Sequence, residues 1–147
     1  MRNARVNGSI FIATLAVFVV LDAAWLMMVA VKMFQSQLGP ILRVEPMLGA
    51  AIALYVVYSV GLIALAVRPA LAARSLSMAA TKGAVLGLTA YATFDLTSLA
   101  IIKGWTVGLA AIDIAWGVVV SAIASMAGYA AGARAPAQMR ASGEDQE

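Results

Sequence analysis

Three aspartates, Asp22, Asp95 and Asp113, each interrupt a long apolar run. A charged side chain at the centre of a lipid-spanning helix costs roughly 2.5–3.5 kcal/mol on insertion scales. A carboxyl group persists there when it takes up a proton, holds a cation, accepts hydrogen bonds from a neighbouring helix, or acts as acid or base toward a substrate. Three close carboxyls would not all stay ionised without a cation. The other four acids are of a different kind: Glu45 lies in a loop, and Glu144, Asp145 and Glu147 lie in a polar tail.

The neighbours of these aspartates sharpen the chemistry. Residues three or four apart share a helix face. Trp25 therefore falls on the face of Asp22, Trp116 on that of Asp113, and Tyr91 and Ser98 flank Asp95. Two helices repeat Asp-x-Ala-Trp, as Asp22-Ala-Ala-Trp25 and Asp113-Ile-Ala-Trp116. Because these helices run in opposite directions, the repeat is compatible with an inverted internal symmetry. The indoles either fill space and donate their N–H to the adjacent carboxyl, or wall a pocket for an apolar or aromatic ligand. Tyr55 and Tyr58 reach a similar depth from another helix. The candidate site is thus Asp22, Asp95, Asp113, Trp25, Trp116, Tyr55, Tyr58, Tyr91 and Ser98. The three carboxyls are also its only metal ligands, if it holds a metal at all. A purely structural role, with the carboxyls tying helices together, stays open beside the functional one.

The elements that must carry this site follow from hydropathy. Of 147 residues 63% are hydrophobic and 12% charged, against about 25% charged in a soluble domain. A membrane span needs about 20 mostly apolar residues. Four segments qualify, at about 10–31, 47–67, 83–102 and 107–131. The fold class is an all-α integral membrane bundle of four transmembrane helices. Residues 1–134 form that single domain, and 135–147 form a polar tail whose composition predicts disorder. The first apolar run extends well past a signal-peptide core and contains Asp22 and Trp25, so it reads as an uncleaved span. The stretch Met33–Val44 reads as an interfacial helix broken at Gly39-Pro40 or as a plain loop.

Orientation comes from lysine and arginine. Seven of the ten (Arg2, Arg5, Arg68, Arg74, Lys82, Arg134 and Arg140) fall on the side of the termini, and Lys32, Arg43 and Lys103 fall on the other. The positive-inside rule places both termini in the cytoplasm, and the expected location is the inner (cytoplasmic) membrane. At about 1.5 Å per residue, the three aspartates then lie roughly 12–15 Å below the outer boundary, in one layer. Trp105 sits at that boundary, where an interfacial aromatic is expected.

Absences bound the function further. The chain has no cysteine and no histidine. This leaves no disulfide, no thiol catalysis, no zinc site and no histidine-ligated haem. The net charge of +3 belongs to flanking residues. No basic patch interleaved with aromatics points to nucleic acid. The expected partner is the lipid bilayer. Gly83 with Gly87 and Gly128 with Gly132 are spaced for close helix approach. That spacing predicts tight packing of the third and fourth helices, or a homodimer face.

The segments Leu21–Leu26, Tyr91–Thr97 with Lys103-Gly104-Trp105, and Asp113–Gly117 resemble the predicted membrane proteins of domain-of-unknown-function family 2177. The resemblance spans roughly residues 10–131. It implies a small bacterial multi-pass membrane protein and implies no particular reaction. Three functions fit the residues. The first is a site that binds or transports a proton, a cation or a small molecule. The second is a membrane enzyme acting on a lipid or other apolar substrate. The third is an accessory subunit of a larger membrane complex.

Overall fold

Uninterrupted apolar sequence with few helix breakers dictates helices, since lipid offers backbone groups no alternative partners. The computed structural model describes residues 2–39, 42–43 and 45–144, and four long helices carry nearly all of them. Helix α1 joins Arg2–Trp25, a wide turn at Leu26–Ala30, and Val31–Leu38. Helix α2 joins Leu48–Leu62, a second wide turn at Ile63–Val67, and Arg68–Ala73. Helix α3 is Leu76–Ile101 and α4 is Val107–Glu144. All four are long and apolar enough to cross a membrane.

The two wide turns have different origins. In α2 the N–H of Arg68 bonds the carbonyl of Ile63, five residues back. Pro69 follows directly; it cannot donate to Leu65, and its ring crowds that carbonyl, so the preceding turn opens. In α1 the N–H of Val31 likewise bonds the carbonyl of Leu26. No proline is near, and the segment Leu-Met-Met-Val-Ala carries no local signal for the extra residue. Its consequence is a change of face. In a regular helix Met28 and Lys32 would follow Trp25 inward. Instead both are exposed, while Ala30 is buried and Phe34 half-buried.

The connections are short and capped. Arg74 takes a left-handed conformation (φ 51°), and the Ser75 hydroxyl accepts from the N–H of Met78 at 3.2 Å to start α3. At the other end of α3 the turn uses Gly104 at φ 98°. Thr106 caps α4 by accepting from the N–H of Leu109 at 3.2 Å. The backbone of α4 continues to Glu144, through most of the stretch whose composition predicts a disordered tail. Helix α1 ends at Leu38, and Pro40 and Val44 of the expected interfacial segment lie outside the described residues.

Helix α4 is the centre of the bundle, packing along both α3 and α1, and the second half of α2 closes against α3. Phe18, Leu62, Val120 and Ala124 form the core. The outward faces are apolar: Met27, Val57 and Ile101 are each at least 70% exposed. A water-soluble bundle would bury such residues, whereas a bilayer accepts them.

The glycines work differently from the simplest reading of their spacing. Gly83 and Gly87 do bring α3 onto α4: a Cβ on Gly83 would lie 2.5–2.6 Å from Ser125 Oγ and the Ser121 carbonyl, and one on Gly87 would strike the backbone of Gly117. Gly128 and Gly132, however, face α1 and α2. A Cβ on Gly128 would strike Thr14, and one on Gly132 would come within 2.8 Å of Leu71 and 3.0 Å of Ile10. All four are buried within one chain. Spacing reports that backbones approach closely; it does not name the partner helix.

Candidate functional site

Helices α1 and α4 run antiparallel with Asp-x-Ala-Trp on each, and the two motifs meet face to face. The indoles of Trp25 and Trp116 stack with centroids 4.7 Å apart and planes 7° from parallel. Trp116 serves the carboxyl of the opposite helix rather than its own. Trp116 Nε1 donates to Asp22 Oδ1 at 3.1 Å. The Trp25 indole N–H faces Asp113, although it is buried without a well-formed hydrogen bond. The expected pairing within each helix is thereby corrected. Consecutive Trp and Asp side chains on one face leave that face side by side, and the stacked indoles cross to the facing carboxyl.

The carboxyls form two adjacent tiers, one at Asp22 and one at Asp95 with Asp113. Asp22, 8% exposed, is fully engaged: its second oxygen accepts from the Tyr55 hydroxyl of α2 at 3.0 Å. Asp95 is completely buried, and neither of its oxygens has a hydrogen-bond partner. Beside it lie the carboxyl of Asp113 and the indole N–H of Trp105, itself buried and unpartnered. This second tier lies toward the α3–α4 turn. Asp22 is not part of a ligand cluster with the other two: among the described residues no group of three acidic side chains gathers as a metal site.

The other expected residues surround these tiers. Tyr58 shares a 2.7 Å hydrogen bond with Ser121 of α4 and packs on Phe18 at 4.9 Å. Tyr91 seats its ring directly over Gly117, where any Cβ would collide with it. Ser98 is buried one turn from Asp95. Tyr55 alone of the three tyrosines touches a carboxyl through a hydrogen bond.

Trp105 stands at the span boundary, as expected, but also takes a part in the site that the sequence did not reveal. Its position at a span boundary predicts an interfacial anchor, yet its N–H turns inward toward Asp95. Phe34 and Phe94 pack against it at 5.6 and 5.5 Å. The Thr106 hydroxyl donates to the Gln37 side-chain oxygen at 2.6 Å, tying the end of α1 over this turn. Beneath this cover, a cavity of about 10 Å³ is lined by Trp25, Ala30, Met33, Phe34 and Asp113, among others. That is about the space one water needs.

Four apolar helices around buried carboxyl and indole groups define a small multi-pass membrane protein. The chain belongs to the family described as predicted membrane protein (DUF2177), whose model matches residues 8–130. That span includes every residue of both tiers. No curated protein and no solved structure matches the chain.

Proposed function

We propose that this protein binds a proton or a small cation at the Asp95–Asp113 pair, with Asp22 as the fixed scaffold that sets the pair's geometry. The observation that carries the reading is Asp95: it is fully buried with both oxygens unpartnered, beside a second carboxyl. Adjacent carboxylates repel one another, and a proton or cation between them relieves that repulsion. Native proteins rarely leave a buried polar side chain unsatisfied without a functional reason. Intramembrane acids mark ion and proton pathways by default. The seven-to-three distribution of basic residues orients the α3–α4 turn outward, so the pair is loaded from the outer side of the inner membrane.

The test uses the purified full chain in lipid nanodiscs. Infrared difference spectra across a pH titration, and calorimetric titration with Na⁺, K⁺ and Mg²⁺, read proton and cation uptake. Asp95→Asn and Asp113→Asn each remove the titrating carboxyl signal or the cation heat, whereas Tyr55→Phe leaves it in place. Wild-type uptake in both Asn variants overturns the reading.

A further inference from the structure

A groove opens at the end of the bundle away from the carboxyl pair, near the chain's N-terminus. There α1 and α2 leave a groove of about 230 Å³ between Asn7, Phe11, Val60, Ile63, Ala64 and Arg68, floored by Ile10. Val60, Ala64 and Arg68 of α2 line it together across the wide turn, and Asn7 and Phe11 share one face of α1. From Arg68 to Val60 the groove runs roughly 12 Å along the helix. The wide turn ahead of Pro69 forms its middle.

The groove changes character along its length. Val60 is 52% exposed, and Ala64 is exposed as well; this part opens onto the bilayer face. At its end Arg68 and Asn7 are exposed and polar. Among the described side chains no acid reaches Arg68. Of the described acidic side chains, Asp95, Asp113 and Glu45 belong to the far half of the molecule, and Asp22 stands fifteen residues from Asn7, roughly four turns. A guanidinium is a planar fork of donors suited to a phosphate and stays charged. An apolar trough open to lipid, closed at one end by an exposed cation and an amide, matches an amphiphile with an anionic head.

We infer that this groove holds one phosphate-bearing glycerolipid of the leaflet on the terminal side. Its phosphate sits on Arg68 and Asn7, and one acyl chain lies along Phe11, Val60 and Ala64. The site is separate from the carboxyl pair and does not depend on what that pair binds.

Native mass spectrometry of the full chain tests this, after purification from vesicles that contain phosphatidylglycerol and diacylglycerol with the same acyl chains. Wild type retains one phosphatidylglycerol and no diacylglycerol. Arg68→Gln removes the head contact and Ala64→Trp fills the trough; each lowers retention at least tenfold. Both positions are exposed, so both variants keep the wild-type thermal midpoint. Arg74→Gln removes an exposed arginine outside the groove and retains the lipid. Retention by Arg68→Gln or by Ala64→Trp overturns the proposal. So does equal loss in Arg74→Gln, which would signal bulk charge attraction, or retention of diacylglycerol, which would signal a trough without a head-group site.

Discussion

The two carboxyl tiers are built from matching parts and finished differently. Both are served by an Asp-x-Ala-Trp motif, and their indoles lie on one another. Asp22 has two donors, from two different helices, one on each oxygen. Asp95 has none, though it is the more deeply buried. The contrast is informative because a satisfied buried carboxylate rigidifies its surroundings, while an unsatisfied one carries a desolvation cost with nothing returned. The first is how a bundle is tied together. The second is what the proposed proton or cation site requires.

Removing each carboxyl should therefore act in opposite directions. Asp22→Leu strands the Tyr55 hydroxyl and the Trp116 N–H, both of which lose their acceptor. Unsatisfied buried groups cost about 1–3 kcal/mol each, although hydrogen bonds between membrane helices average only about 0.6 kcal/mol. We expect a loss of about 2–3 kcal/mol, read by reversible unfolding in mixed micelles. A loss under about 0.5 kcal/mol would show that the two donors find water or other partners and that the tier is not a tie.

Asp95→Leu should change stability with the other sign. No well-formed hydrogen bond is broken, the two side chains have the same number and branching of heavy atoms, and an apolar replacement of a buried charge is often neutral or stabilising. The same unfolding measurement should show a gain of about 1 kcal/mol. A loss of more than about 1 kcal/mol would mean that Asp95 already has a partner as good as those of Asp22. The two tiers would then be equivalent, and the basis for placing a ligand at the second would disappear.

How much of this was legible beforehand depends on which physical signal each feature leaves. The four spans are read directly, because lipid exposure and core burial both demand apolar residues and leave long uninterrupted runs. Asp22, Asp95 and Asp113 stand out for the same reason. The crossing of the two motifs was hidden: spacing assigns Trp25 to Asp22 and Trp116 to Asp113, and only the antiparallel contact of α1 with α4 exchanges them. The wide turn at Leu26–Ala30 was hidden too, since it lacks the proline that marks its counterpart before Pro69. It is this turn that brings Phe34 to the cavity and sends Lys32 outward. The part of Trp105 in the site was hidden because an aromatic at a span end is ordinarily an anchor, and nothing local says that its N–H points in. Gly128 and Gly132 show the same limit, since they announce closeness and leave the neighbour unnamed.

The smallest effect offers the cleanest contrast, because it compares one substitution at two equivalent positions. Trp→Phe keeps an aromatic ring in the stack and deletes one N–H. At position 116 that N–H is the donor to Asp22; at position 25 it is buried and unpartnered. Trp116→Phe should cost about 1 kcal/mol more than Trp25→Phe, the net worth of one hydrogen bond to a carboxylate in this setting. The loss of ring area is nearly common to both and cancels in the difference. If the carboxyl pair takes up a cation or proton, Trp25→Phe should in addition shift that uptake, since its N–H faces Asp113, whereas Trp116→Phe should leave it unchanged. Equal destabilisation by the two variants would mean that the Trp25 N–H also reaches its carboxyl in the bilayer. The tiers would then differ only through Asp95 and Trp105, and the second site would narrow to that pair.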